Sequence, residues 1–187
     1  MPACGLGNRR FRTATVADQG VVVLGIPIPS SSPLFLSIVA VHVVAGLVCA
    51  LAGIVAMFST KGPGCHPSAG TVYFWSLVVV SLTMAALSIL RWPGDTHLFV
   101  LGILSFAAGV VGRTARRRSR PGWLPVHVTA MAASYILLLT AFYVDNGPHL
   151  PLWRSLPVLA YWLLPTVVGL PILLWTLRKH PLLRRSN

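Results

Sequence analysis

Long apolar stretches separated by short polar turns run along most of this chain. Five of them reach, or come close to, the roughly 20 residues that a helix needs to cross a bilayer core about 30 Å thick. Clusters of Gly and Pro lie between the stretches and favour turns, and Asp95 is placed to cap the third helix. We predict spans over residues 33–58, 68–90, 96–112, 124–144 and 158–177. The pattern predicts an all-α, polytopic transmembrane helical bundle, with one transmembrane domain over residues 32–178.

The composition supports the membrane interpretation. Of the 187 residues, 55% are apolar and only 10% are charged, whereas a soluble domain carries about 25% charged residues. The three acidic residues are all Asp and lie far apart, which argues against paired-carboxylate hydrolysis. The net charge of +12 would indicate nucleic acid in a soluble protein. Because the Lys and Arg residues lie between apolar stretches, we predict a lipid bilayer as the partner and no nucleic acid.

The distribution of Lys and Arg predicts the orientation. Ten of them follow the first, third and fifth spans, and Arg91 and Arg154 lie near the spans on the other side. Arg9, Arg10 and Arg12 lie at or beyond the roughly 15–20 residues from a span over which the rule operates. Since cytoplasmic loops carry the excess of positive charge, we expect a bacterial inner membrane protein with its N-terminus outside and its C-terminus inside. The run Arg113–Arg120 is placed to contact anionic lipid head groups.

Both termini lie outside the predicted bundle. Arg9, Arg10 and Arg12 precede an apolar run that is interrupted at Pro27, which is shorter than the apolar region of a signal peptide. We therefore expect residues 1–31 to form a flexible N-terminal tail. Residues 179–187 are expected to form a basic cytoplasmic tail.

Small residues indicate how the helices pack, because close backbone approach drives association in lipid. They are frequent in the first, third and fourth spans, for example Ala45, Gly46 and Cys49, Gly109 and Gly112, and Ala130 and Ser134. We expect a four-helix core with the proline-containing fifth span at its side. The same surfaces would serve a homo-oligomer or a membrane partner.

Four histidines are the candidate chemistry of this polar-poor chain. His42 lies inside the first span, and His66, His97 and His127 lie near the starts of the next three. The predicted orientation places His42 and His97 toward the outer face and His66 and His127 toward the inner face. Neutral imidazole is a common ligand for haem iron, copper and zinc. The alternatives are a helix-to-helix hydrogen bond for His42, interfacial positions for His66 and His97, and plain packing for His127.

The string His42-x-x-x-Gly46, then His66-x-x-x-Gly70-x-x-Tyr73, then His127 and Met131 resembles a family of small predicted bacterial membrane proteins of unknown function. More remotely, one histidine on each of four consecutive helices resembles the ascorbate-reducible di-haem b-type cytochromes. That resemblance implies haem b with all four histidines as iron ligands, His42 pairing with His97 and His66 with His127.

Three functions follow as hypotheses. The first is a b-type haem protein that transfers electrons, at most a membrane oxidoreductase. The second is a non-catalytic membrane scaffold or subunit that packs through its small-residue surfaces. The third is a small-solute or proton permease that uses His42.

Overall fold

A computed structural model describes residues 33–179, together with the backbone of two short strands that precede them. It contains five long α-helices: α1 (Pro33–Phe58), α2 (Cys65–Leu90), α3 (Thr96–Arg118), α4 (Trp123–Asn146) and α5 (Val158–Lys179). All five are long and apolar enough to cross a membrane. The prediction of an all-α transmembrane helical bundle is therefore confirmed.

The helix bounds follow the predicted spans closely, and the main difference lies in α3. Its apolar part ends near Gly112, but the helix continues through the arginines to Arg118. Hydropathy identifies only the lipid-facing part of a helix, and arginine is a good helix former that continues it into water.

The strands β1 (Val21–Val23) and β2 (Ile26–Ile28) pair antiparallel, with Val21 opposite Ile28. Apart from these strands, the N-terminal tail expected over residues 1–31 lies outside the described residues, as does all of the C-terminal tail beyond Lys179.

Short connections make consecutive helices antiparallel, so α2 and α4 run in the same direction. The α1–α2 and α3–α4 hairpins are the most closely packed, α2 also contacts α3, and α5 packs against α4. The expected four-helix core with a peripheral fifth helix is thus confirmed. Large apolar side chains cover the outside of all five helices, for example Val44, Trp75, Ile103 and Val167, as a lipid-facing surface requires.

Small residues set the distance between helices, although not in the grouping that the sequence predicted. A Cβ at Gly109 of α3 would lie 2.7 Å from Leu77 Cδ2 and 3.3 Å from Ser134 Oγ. The buried Cys49 and Ala52 of α1 pack with α2 residues, including Tyr73. Helix α1 therefore packs mainly on α2, and it reaches α4 chiefly where the Tyr135 ring lies against Gly53.

The prediction that the Asp95 side chain caps α3 by a hydrogen bond is wrong. Asp95 does occupy the N-cap position, but its side chain makes no capping hydrogen bond. Its carboxylate instead pairs with Arg91, at 3.1 Å from the guanidinium. An opposite charge four residues earlier competes successfully with the backbone N–H groups for the same carboxylate oxygens.

Candidate functional site

The two ends of the bundle differ in charge. At one end, where α2 and α4 begin, the described residues carry eight cations and no carboxylate: Lys61, Arg113, Arg116, Arg117, Arg118, Arg120, Arg178 and Lys179. We call it the basic end. The other end, called the acidic end, carries Asp95 and Asp145 with Arg91 and Arg154. Two cations of the basic end lie over aromatic rings, Arg113 at 4.4 Å from the Phe74 centroid and Arg116 at 4.9 Å from that of Trp123.

His66 lies at the basic end, one residue after the start of α2. The preceding turn passes through Gly64, whose φ of 112° lies in the region that glycine enters most readily. This turn brings the half-buried imidazole back against the last turns of α1, where Nδ1 lies 2.8 Å from the carbonyl oxygen of Ala56. His66 is therefore held by the other helix of its own hairpin.

His127 is held in the same way in the second hairpin. It lies just over one turn into α4 and is half-buried, with Nδ1 2.8 Å from the carbonyl oxygen of Gly112 on α3. Glycine at position 112 lets the helices approach closely, since a Cβ there would lie 2.8 Å from Met131 Cγ. The ring also lies beside Trp123, with 6.0 Å between the centroids.

These two contacts define the tautomer of both imidazoles. A carbonyl oxygen only accepts hydrogen bonds, so Nδ1 carries the hydrogen and donates it in both rings. In the neutral imidazole Nε2 then carries the lone pair. This arrangement, with Nδ1–H donating to a backbone carbonyl and Nε2 left free, is typical of metal-ligating histidines.

A buried hydrogen bond places His66 and His127 at similar depths, to within the length of a tyrosine side chain. The hydroxyl oxygens of Tyr73 on α2 and Ser134 on α4 are 2.8 Å apart. His66 and His127 are each seven residues before one of these partners. Since α2 and α4 run in the same direction, seven residues place both histidines about 10 Å closer to the basic end. Seven residues are also close to two full turns, so each histidine lies on the helix face that carries the bonded hydroxyl.

Cations surround this pair. Lys61, Arg116 and His66 all lie within electrostatic range of His127. The Lys61 ammonium donates to the carbonyl oxygens of Ala56, Met57 and Ser59, at 3.1, 2.7 and 3.0 Å. Partial burial of this ammonium lowers the pKa of Lys61 below the ordinary lysine value, because leaving water disfavours the charged form.

The other two predicted ligands contact different helices. His42 lies between α1 and α2, where Nδ1 is 2.9 Å from Thr83 Oγ1. The Thr83 hydroxyl oxygen is also 2.8 Å from the carbonyl oxygen of Val79 and 3.0 Å from that of Val80. His97 is exposed at the start of α3, and its ring centroid is 6.0 Å from that of Trp162 on α5. The expected pairing of His42 with His97 has no contact to support it in the described part of the chain.

Sequence reasoning did not identify the buried hydroxyl cluster beside the candidate site. Tyr73, Ser105 and Ser134 are 2%, 1% and 0% exposed. Ser105 donates to the carbonyl oxygen of Ser134 at 2.8 Å, and Tyr135 donates to that of Ala50 at 3.1 Å. The available signal was the equal seven-residue spacing of His66 to Tyr73 and of His127 to Ser134.

Within residues 33–179, no group of three or more His, Cys, Asp or Glu side chains is placed to hold a metal ion. Two imidazoles suffice for a haem iron, however, because the porphyrin supplies the other four ligands. A cavity of about 190 Å³ lies between α2 and α3. Its lining contains no histidine, so it is separate from the His66–His127 pair.

Comparisons with models of protein families, with curated proteins and with solved structures find no match to this chain. The two resemblances described above therefore stay predictions.

Proposed function

We propose that the protein is a b-type haem protein of the membrane that transfers electrons, in which His66 and His127 would hold the iron. One observation carries the proposal: two half-buried imidazoles at the basic end lie within electrostatic range of each other, and each has its Nδ1–H fixed on a backbone carbonyl.

The residues around the pair fit this group. Both Nε2 atoms have the lone pair that iron requires. On the His66 side, Gly70 is one turn further along α2, and a Cβ at that position would meet no atom within 4 Å, which leaves that stretch of the α2 backbone uncovered. The Arg116 guanidinium suits a carboxylate of the kind that the haem macrocycle carries. When bound, the haem supplies reversible one-electron chemistry.

The residues of the chain have three roles in this proposal. The carbonyls of Ala56 and Gly112 keep both rings in one orientation. Tyr73 and Leu77, which are 2% and 1% exposed, close the bundle about 10 and about 16 Å above His66 and exclude water from that side. The basic end stays open to the aqueous phase, which is where electrons would enter.

We further propose that the basic end faces the cytoplasm of a bacterial inner membrane, with the N-terminus outside. The excess of Lys and Arg at that end supports this orientation. The arginines from Arg113 to Arg120 would then lie at the level of anionic lipid head groups.

The deciding experiment is an absorbance spectrum of the detergent-purified protein, expressed with an adequate haem supply, first oxidised and then reduced with dithionite. We expect a Soret band that shifts on reduction and resolved α and β bands. His66→Ala and His127→Ala should each abolish the six-coordinate spectrum, whereas the matched variant His149→Ala at the acidic end should retain it. A well-folded parent protein without a Soret band would overturn the proposal and leave the scaffold hypothesis.

A specific observation also favours a second candidate, a proton permease that uses His42. Asp145 lies within electrostatic range of His42. From the Tyr135–Ala50 contact, His42 is eight residues along α1 and Asp145 ten residues along α4 toward the same end, or about 12 and 15 Å. His42 and Thr83 lie inside α1 and α2, where ionisable groups are costly and usually functional, and Asp145 lies above them at the acidic end, next to the last residue of α4. Proton flux into liposomes that His42→Ala abolishes and His149→Ala retains would support this function.

A further inference from the structure

Lys61 and His66 share one hydrogen-bond acceptor. The carbonyl oxygen of Ala56 lies 2.8 Å from His66 Nδ1 and 3.1 Å from Lys61 Nζ. We propose that Lys61 is a positioning residue that tunes His66 as an iron ligand through this shared oxygen. The inference rests on the proposed haem site and assigns a role to a residue that touches neither the iron nor the haem.

Because His66 shares the Ala56 oxygen with Lys61, it is a weaker electron donor to a bound iron. A ligand histidine becomes more basic as its Nδ1–H is donated to a stronger acceptor. The ammonium draws electron density from the Ala56 oxygen, which leaves it a weaker acceptor for the imidazole. His66 therefore donates less electron density to an oxidised iron than an unassisted histidine would.

The charge of Lys61 acts in the same direction. A cation near a redox centre favours the reduced form, which carries one positive charge less, and this effect is stronger away from bulk water. Ligand strength and charge are among the levers by which a protein sets a haem potential. Both effects of Lys61 raise the midpoint potential.

The site is asymmetric as a result. Within the described residues, the side chain that bonds the Gly112 carbonyl is that of His127, without a lysine. The two histidines would therefore differ in strength as ligands, although each donates Nδ1–H to a backbone carbonyl at 2.8 Å.

The sequence provides a matched control, because the chain contains only two lysines, Lys61 and Lys179. Both lie at the basic end, but the Lys179 ammonium is 5.0 Å from the centroid of Trp175 on the peripheral helix α5. Its removal changes the net charge equally without touching the Ala56 carbonyl.

The test is spectroelectrochemical titration of the haem-loaded, full-length protein and its variants. We expect Lys61→Met to lower the midpoint potential and Lys179→Met to leave it near the parent value. Lys61→Arg keeps the charge and a donor and should restore most of the difference. Lys61→Gln keeps a donor without the charge and should fall between Lys61→Met and the parent. It also covers the case in which Lys61→Met fails to fold.

A second readout needs no haem. In the haem-free protein, the ¹⁵N resonance of His66 Nδ1 should move in Lys61→Met and stay in place in Lys179→Met. Equal midpoint potentials for Lys61→Met, Lys61→Gln and the parent would overturn the tuning role while leaving the haem site intact. Failure of the parent protein to take up haem would instead overturn the proposed function, and the tuning role with it.

Discussion

The hydroxyl of Tyr73 and the hydroxyl of Ser134 are 2.8 Å apart in the centre of the bundle. This bond joins α2 directly to α4, the two helices that carry His66 and His127. It therefore fixes the axial register between the two histidines.

Removal of either hydroxyl should destabilise the bundle, and the effects of the two removals should not be additive. Hydrogen bonds between membrane helices contribute about 0.6 kcal/mol on average and up to about 1.7 kcal/mol. We expect Tyr73→Phe and Ser134→Ala each to cost about 1 kcal/mol, and the double variant to cost less than the sum of the two. Reversible unfolding in mixed micelles measures all three values. Strictly additive effects would show that the two hydroxyls do not interact.

The substitution Gly112→Ala adds one methyl group and should disturb the candidate site at His127, which bonds to the Gly112 carbonyl. The new Cβ would lie 2.8 Å from Met131 Cγ and 3.2 Å from the backbone nitrogen of Met131, so α3 and α4 must separate. Overpacking of this kind typically costs about 1–3 kcal/mol. We expect Gly112→Ala to lower both thermal stability and haem content.

The control for that variant is Gly46→Ala on α1, where a new Cβ meets no atom within 4 Å. Alanine is the better helix former by about 1 kcal/mol, so stability should be equal or slightly higher and haem content unchanged. The same loss of haem in both variants would show that the contact between Gly112 and Met131 is not the cause.

His42 should not be needed for the haem at the basic end. Its imidazole bonds to Thr83, which lies about 25 Å along α2 from His66 by the helical rise per residue. We expect one haem per chain in both the parent and His42→Ala, as measured by pyridine haemochrome assay against protein concentration. Two haems in the parent and one in His42→Ala would restore the di-haem arrangement that the remote resemblance implies.

The proposed orientation has a thiol reporter. Cys65 is exposed at the first residue of α2, whereas Cys49 is fully buried. In a Cys4→Ser background, a membrane-impermeant maleimide should label Cys65 in inverted vesicles and not in intact spheroplasts. Labelling in spheroplasts would place the basic end outside the cell.

Much of the fold could be predicted from the sequence because lipid imposes a simple rule. Apolar length and Gly-Pro turns placed α1 at residues 33–58, as observed. What failed depended on contacts between helices. The Asp95 side chain was predicted to cap α3, but an ion pair with Arg91 takes it instead. Likewise, the small residues of α1 indicate a close helix neighbour without saying which helix it is.

The candidate site was predictable in part for the same reason. Helix direction alone grouped His66 with His127 at one end. The carbonyls of Ala56 and Gly112, and the sharing of Ala56 with Lys61, come from backbone atoms that every residue possesses. No side-chain pattern in a sequence identifies them.

The hydrogen bond from each histidine to a backbone carbonyl has a consequence for how the protein is made. His66 bonds to α1 and His127 to α3, so each of these hydrogen bonds forms within one helical hairpin. Each hairpin would leave the insertion machinery with its imidazole already oriented, before the other hairpin is synthesised. The last step of folding is then the association of the α1–α2 hairpin with the α3–α4 hairpin. A chain divided between Leu90 and Thr96 and expressed as two pieces should regain its site by association alone.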